Sequence, residues 1–205
     1  MAEDFRFRYG ESLARPPGAQ LPTNGGTPPS SLDVAAPVES RVKFLGHALH
    51  QQLIPFPFGL VVTAVIFEVS YLITDSQELA NVAYWMIGAG IIGGLIAAAP
   101  GPIDWTAIPN GTRAKRVGAL HGLGNMVLLT LFVASWWLRR DQPTSPEALA
   151  VSLSFAGVAL AAVTGWLGGE LVDRHAVGID AGAHADAPHS LSGRPASEGG
   201  GALAR

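Results

Sequence analysis

The stretch VGALHGLGNMVLLTLFVASWWL, residues 117–138, runs for 22 residues without a charged side chain. At the rise of an α-helix this length covers about 33 Å, enough to cross a hydrocarbon layer roughly 30 Å thick. A soluble core helix of the same length keeps a polar face toward water, and this one has almost none. Three further runs of the same kind flank it: LIPFPFGLVVTAVIFEVSYLI at 53–73, VAYWMIGAGIIGGLIAAAPGPI at 82–103 and ALAVSLSFAGVALAAVTGWLGG at 148–169. The expected fold is therefore all-α, an integral-membrane four-helix bundle in a lipid bilayer.

Composition agrees with this and narrows the chemistry. Of 205 residues, 48% are hydrophobic and only 14% charged, and the apolar ones crowd into the middle of the chain. Residues 1–40 and 176–205 are rich in Gly, Pro, Ala and Ser, which predicts flexible tails on either side of a bundle at 41–175. FRFRY, residues 5–9, reads as a solvated tail or as a short strand docking on a partner. A net charge of −3 without a basic stripe argues against nucleic acid as a partner. The chain has no cysteine, which excludes disulfides, thiolate-bound zinc, iron–sulfur clusters held by this chain and covalently attached c-type haem. The start of the chain mixes acids and bases without an apolar core segment, so no cleavable secretory signal is expected.

Lysine and arginine set the expected orientation. The loop after the first run has neither, the second loop carries Arg113, Lys115 and Arg116, and Arg41, Lys43 and Arg174 flank the bundle. Both termini and the second loop are then cytoplasmic in a bacterial inner membrane, with Arg139 and Arg140 counting the other way. Tyr71, Tyr84, Trp85, Trp136 and Trp137 would line the outer interface. Gly157, Ala161, Gly165 and Gly169, and likewise Gly90, Gly94 and Ala98, recur at four-residue spacing and form small-residue ridges for close helix packing.

The polar residues converge on the inner edge. His47 and His50 precede the first span, Asp104 follows the second, His121 and Asn125 open the third, and Glu170, Asp173 and His175 close the fourth. Gly118, His121, Gly122 and Asn125 share one helical face, a stripe that should look into the bundle. ESRVKFLGHALHQQL, residues 39–53, reads as an amphipathic interfacial helix on which His50 borders the apolar face and His47 points away. Pro55 and Pro57 then mark the corner where the first span begins. Three readings stand for this edge. Haem b would take His50 and His121 as axial ligands from different helices. A metal ion would draw on His47, His50, His121, His175, Asp104 and Glu170. In the third, these groups simply hydrogen-bond the helix ends together. Glu68 lies inside the first span, where an acid is costly unless it faces the interior; a proton relay and a hydrogen bond near the outer rim are its two readings. No catalytic triad or phosphate loop is present, so nothing in the motifs supports an enzyme.

Four motifs taken together, GHALHQQLIPFPFG, DWTAIP, RVGALHGLGN and GWLGGELVDRHAVGI, resemble those of a family of bacterial four-helix predicted membrane proteins known as a domain of unknown function. The resemblance covers about residues 44–179 and marks His47, His50, Asp104, Trp105, His121, Asn125, Gly168, Gly169 and His175. Gln51, Asp173 and Ala176 depart from the family pattern, which has proline, tyrosine and glycine there. Some relatives are similar to membrane anchors joined to Rieske or cytochrome modules. The resemblance thus implies redox company: a non-catalytic membrane subunit of a larger respiratory or photosynthetic complex, alongside other membrane-protein subunits. The alternative is an electron-transfer protein that itself binds haem b or a metal through the histidine cluster.

Overall fold

The structure is a computed structural model that describes residues 36–199. It contains a small hairpin, β1 Lys43–Phe44 and β2 His47–Ala48, then α1 Leu49–Leu53, α2 Pro55–Thr74, α3 Gln77–Ala98, α4 Pro100–Ala107, α5 Arg113–Leu138 and α6 Ala148–Gly169. Among the described residues four helical stretches are long and apolar enough to cross a membrane: Leu49–Thr74, Gln77–Ala107, Arg113–Leu138 and Ala148–Arg174. The first, second and fourth take in α1, α4 and a turn at Glu170–Arg174 beyond the main helix, and the third is α5 itself. Proline stands at the joints, Pro55 opening α2 and Pro100 opening α4, where a missing N–H has no helical partner to lose.

The helices form two hairpins that pack side by side. A two-residue link joins α2 to α3: Asp75 takes a left-handed conformation and its N–H caps the Tyr71 carbonyl at 2.8 Å. At the other end Thr112 caps α5 by accepting the Lys115 N–H at 3.1 Å. Between the hairpins α3 meets α5 and α2 meets α6, so the four axes close a ring around Val61, Ala64, Ala83, Ile87, Ile91, Leu128, Phe132 and Ala161. The small Ala64, Ala83 and Ala161 lie inside among larger residues, and Ile66, Leu72, Ile73, Ile92, Leu95 and Val163 point outward. That inversion of soluble-protein logic is what lipid selects, since lipid tails are as apolar as leucine and close backbone approach supplies the packing.

The ridges behave as helical geometry requires. Gly157 fits under Phe132, where an added Cβ would lie 2.7 Å from the ring, and Gly90 and Gly94 make the same approach to Val61 and Leu129. A four-residue repeat drifts by about 40° per step against a 3.6-residue turn. By Gly165 the ridge has therefore rotated into the exposed surface, and Thr164 and Gly168 face the neighbouring helix instead. Ala98 is likewise exposed while Ala97 is buried.

The segment before the first span differs from the sequence expectation. Of residues 39–53 only Leu49–Leu53 is helical; Lys43–Phe44 pairs antiparallel with His47–Ala48 across a turn in which Leu45 and Gly46 both have positive φ. Such a turn matches the twist of a two-stranded ribbon and is closed to a helix. The chain is held there by Asp104, which accepts the Ser40 hydroxyl (2.8 Å) and the backbone N–H groups of Arg41 (2.7 Å) and Val42 (3.2 Å).

After α6 the helix widens into a π-turn, Glu170–Arg174, and the chain leaves through Ala176 and Gly178, both at positive φ. Composition alone points to a flexible tail from residue 176, yet residues 176–199 are tied to the N-terminal hairpin. Val38 donates to the Ala176 carbonyl (3.0 Å) and accepts from Gly178 (2.7 Å) in a parallel bridge to Val177. Lys43 bonds both Glu39 (2.9 Å) and Asp180 (2.6 Å), and Glu39 also accepts the Ala181 N–H (3.0 Å). The Lys43 ammonium and the Ala181 N–H hold the Glu39 carboxyl below its ordinary range, and Asp180 with Glu39 raises Lys43 above its own. FRFRY and residues 200–205 lie outside the described residues.

Candidate functional site

Two polar clusters occupy opposite ends of the bundle. At the end that carries the hairpin and the C-terminal segment, His50 stands on α1 and His121 on α5. The His50 Nδ1 lies 2.7 Å from the Ala97 carbonyl, which the break between α3 and α4 presents to it. A carbonyl only accepts, so Nδ1 is the donor and carries a proton. His121 repeats the arrangement: Nδ1 donates to the Thr164 carbonyl on α6 (2.9 Å), and Nε2 accepts from the Asn125 amide at 3.2 Å. The same amide donates to the His121 carbonyl (2.9 Å). The two imidazole centroids are 6.2 Å apart with the rings perpendicular. Gly168 makes room for His121, since a Cβ there would sit 3.2 Å from the ring, and Gly101 lies beside His50, where a Cβ would be in ordinary contact at 3.4 Å.

The remaining sequence candidates are placed elsewhere. His47 is exposed on β2 with its Nε2 3.3 Å from the Ser190 hydroxyl. Asp104 is taken up by Ser40, Arg41 and Val42. Glu170 opens the π-turn and His175 follows it, where the buried His175 Nε2 has no hydrogen-bond partner among the described residues. Among the described residues no three His, Cys, Asp or Glu side chains converge on a point that could hold a metal ion. Of the six candidates, His50 and His121 come together as a pair. Trp105 and Lys115 close the second loop reciprocally: the indole donates to the Lys115 carbonyl (3.0 Å), while the ammonium donates to the Trp105 carbonyl (2.8 Å) and lies 3.9 Å above the ring.

The opposite end holds a cluster that sequence reasoning found only in half. Glu68 on α2 forms an ion pair with Arg139, which follows α5, and both side chains are fully buried. Ser154 on α6 donates to Glu68 at 2.5 Å. Arg139 reaches the Ala150 carbonyl (2.9 Å) and the hydroxyls of Ser135 (3.0 Å) and Ser154 (3.1 Å). Beside it Tyr84 stacks on Trp136 at 5.4 Å, with Trp85 and Trp137 exposed. Counting Arg139 as a loop charge hid its role; the available signal was the acid in the first span, which needs a partner at its own depth.

Four antiparallel apolar spans with a shell of large apolar side chains turned outward define a multi-pass membrane protein of the four-helix class. The sequence profile of the family described as "Predicted membrane protein (DUF2231)" matches residues 46–181, and the chain belongs to that family. No curated protein and no solved structure matches it.

Proposed function

We propose that this membrane protein carries electrons, with haem b or a single metal ion held between His50 and His121, and that it works as the membrane-embedded part of a larger redox assembly. The reading rests on one observation, the 6.2 Å approach of two imidazoles from different spans, each with its Nδ1 fixed by a carbonyl of a third or fourth helix. His50 and His121 would hold the group through the ring nitrogens that the Ala97 and Thr164 carbonyls leave free. Fixing Nδ1 on a carbonyl is how proteins orient a ligating histidine and raise its basicity. The bound group would supply one-electron chemistry; the chain supplies two imidazoles, oriented by Ala97 and Thr164 and backed by Gly101 and Gly168. For His121 to ligate, Asn125 gives up Nε2 and keeps its bond to the His121 carbonyl.

That Asn125 contact favours a second reading, in which the histidines are clips tying α1 to α3 and α5 to α6 in a non-catalytic subunit. The two part on the visible spectrum and metal content of protein purified in mild detergent from its own membrane. A Soret band or a stoichiometric metal, lost in His50→Ala or His121→Ala, supports the cofactor. A featureless spectrum without metal sinks it. Recovery as a stable larger assembly supports the subunit role, and a monodisperse free chain counts against it.

The expected orientation, with both termini in the cytoplasm of a bacterium, gains support from the ion pair. With Arg139 neutralised inside the bundle, Arg140 is the one basic residue left in the third loop, where it lies over Trp137. A C-terminal reporter active only in the periplasm should stay silent.

A further inference from the structure

Most of the large apolar side chains that stand exposed belong to the four spans, where lipid covers them. Among the described residues three do not: Phe44 (56% exposed) and Leu45 (58%) at the tip of the β1–β2 hairpin, and Leu191 (68%) in the C-terminal segment. They come from distant parts of the chain, and the fold brings them side by side. Gly46, next to Leu45, packs so closely on Ser190 that a Cβ there would lie 2.5 Å from the serine Cβ, and the His47 Nε2 is 3.3 Å from the Ser190 hydroxyl. Val177, Asp180 and Ala181, docked on the N-terminal segment, keep the two pieces together.

We infer that Phe44, Leu45 and Leu191 form a foot that dips into the bilayer where headgroups meet acyl chains. Its depth is set by Gln52, whose amide donates to the Phe44 carbonyl at 3.1 Å and so folds the hairpin back along α1. Gln52 shares one wall with Phe56, Ile92 and Ile96, whose exposed side chains face lipid. Gln52 stands about one helical turn, roughly 6 Å of rise, above Phe56, so Phe44 continues the rim of that wall. The first span reaches this level: Leu49–Thr74 is about 39 Å long at helical rise against a hydrocarbon core of roughly 30 Å, so its ends lie among headgroups. Charge fits the same place. Residues 44–46 carry none, and the adjacent Lys43 is already paired with Glu39 and Asp180, so the attraction is to the apolar boundary and not to an anionic headgroup. Continuity with the lipid-facing wall selects lipid over a protein partner, which would have to displace the lipid that covers Phe56 just below. The C-terminal segment thereby gains a hold on the membrane as well as on the hairpin, whether or not the histidines bind a cofactor.

The chain has no cysteine, so a single introduced cysteine carries a fluorescent nitrobenzoxadiazole label without background. Leu45→Cys and Leu191→Cys are labelled in the full chain and placed in nanodiscs of phosphatidylcholine brominated near the headgroup end of its acyl chains. Ile66→Cys in the first span and Asp141→Cys in the third loop serve as the lipid and water references. The labels replacing Leu45 and Leu191 should be quenched by the brominated lipid at least half as strongly as the label replacing Ile66, and should resist aqueous iodide. Bromine quenching of either as weak as at the loop reference, with ready access of iodide, overturns the inference. Shielding from both quenchers overturns it too, because protein and not lipid then covers the patch. The unlabelled chain gives an independent reading that no misfolded variant can spoil. In the same discs hydroxyl-radical oxidation of Phe44, Leu45 and Leu191 should be as slow as that of Ile66, and oxidation at the rate of an exposed loop residue overturns the inference.

Discussion

Replacing Glu68 by leucine should be among the most damaging single changes in this protein. The substitution removes the carboxylate that neutralises Arg139 and accepts from Ser154, while the hydrogen bonds from Arg139 to Ser135, Ala150 and Ser154 remain. Those bonds all come from Nη2, and with the carboxylate gone they leave Nη1 and the charge uncompensated in a fully buried site. Breaking one side of a buried ion pair costs about 3–5 kcal/mol, a factor of roughly 150 to 5,000 in the folding equilibrium. Replacing both partners, Glu68→Leu with Arg139→Met, removes the desolvation penalty along with the attraction and should recover most of that loss. The assay is unfolding in mixed micelles of rising anionic-detergent fraction, followed by far-ultraviolet circular dichroism, on both singles and the double. A Glu68→Leu midpoint within about 0.5 kcal/mol of wild type, or a double variant as damaged as the sum of the singles, would refute the reasoning.

Other consequences follow from the same packing. Gly157→Ala sets a methyl against the Phe132 ring and should cost about 1–3 kcal/mol by overpacking, whereas Gly165→Ala, with open space around it, should leave the midpoint unchanged. Ser135→Ala strips one acceptor from Arg139 and a donor to the Ala150 carbonyl, so a loss of about 1–3 kcal/mol should appear in the same assay. Docking of residues 176–181 on the hairpin should depend on pH with a definite sign. Glu39 has a lowered pKa, so its contribution is full above the usual carboxylate range near about 4.3 and fades as pH falls through the lowered value. Lys43 has a raised pKa, so its contribution is full below about 10.4 and fades as pH rises past the raised value. Amide-exchange protection at Gly178 and Ala181 should therefore be flat through neutral pH and fall at both extremes; a drop within the neutral range would contradict this.

The four spans were legible because each apolar run adds up evidence over some twenty residues, and no local accident can mimic that length. The inner location of His50 and the outward one of His47 were legible too, although the wheel that sorted them assumed a helix from residue 39. That helix failed at Leu45–Gly46, and what replaced it was set by Asp104, 64 residues from its Ser40 partner and beyond the reach of any periodicity. Arg139 was misread for a similar reason, since a charge just past a span looks like loop until its partner on another span is known. The ridges show the opposite failure, a regular sequence spacing that a 3.6-residue helix does not sustain. The pairing of His50 with His121 could be guessed from their shared edge, but the carbonyls that fix their tautomers belong to Ala97 and Thr164, positions whose side chains carry no chemical signal at all.

The ion pair between the two hairpins also sets a timetable for how the chain is made. Glu68 enters the membrane with the first hairpin, and Arg139 is synthesised about 70 residues later, a delay of roughly 4–14 seconds at usual elongation rates. For that interval the carboxyl has neither Arg139 nor Ser154 beside it, so it must be sheltered by water at the insertion site or by the lipid head groups near the end of its span. The first hairpin is therefore a client awaiting the second, and nascent chains stalled after residue 107 should be recovered bound to insertion machinery, whereas chains stalled after residue 175 should have been released into lipid.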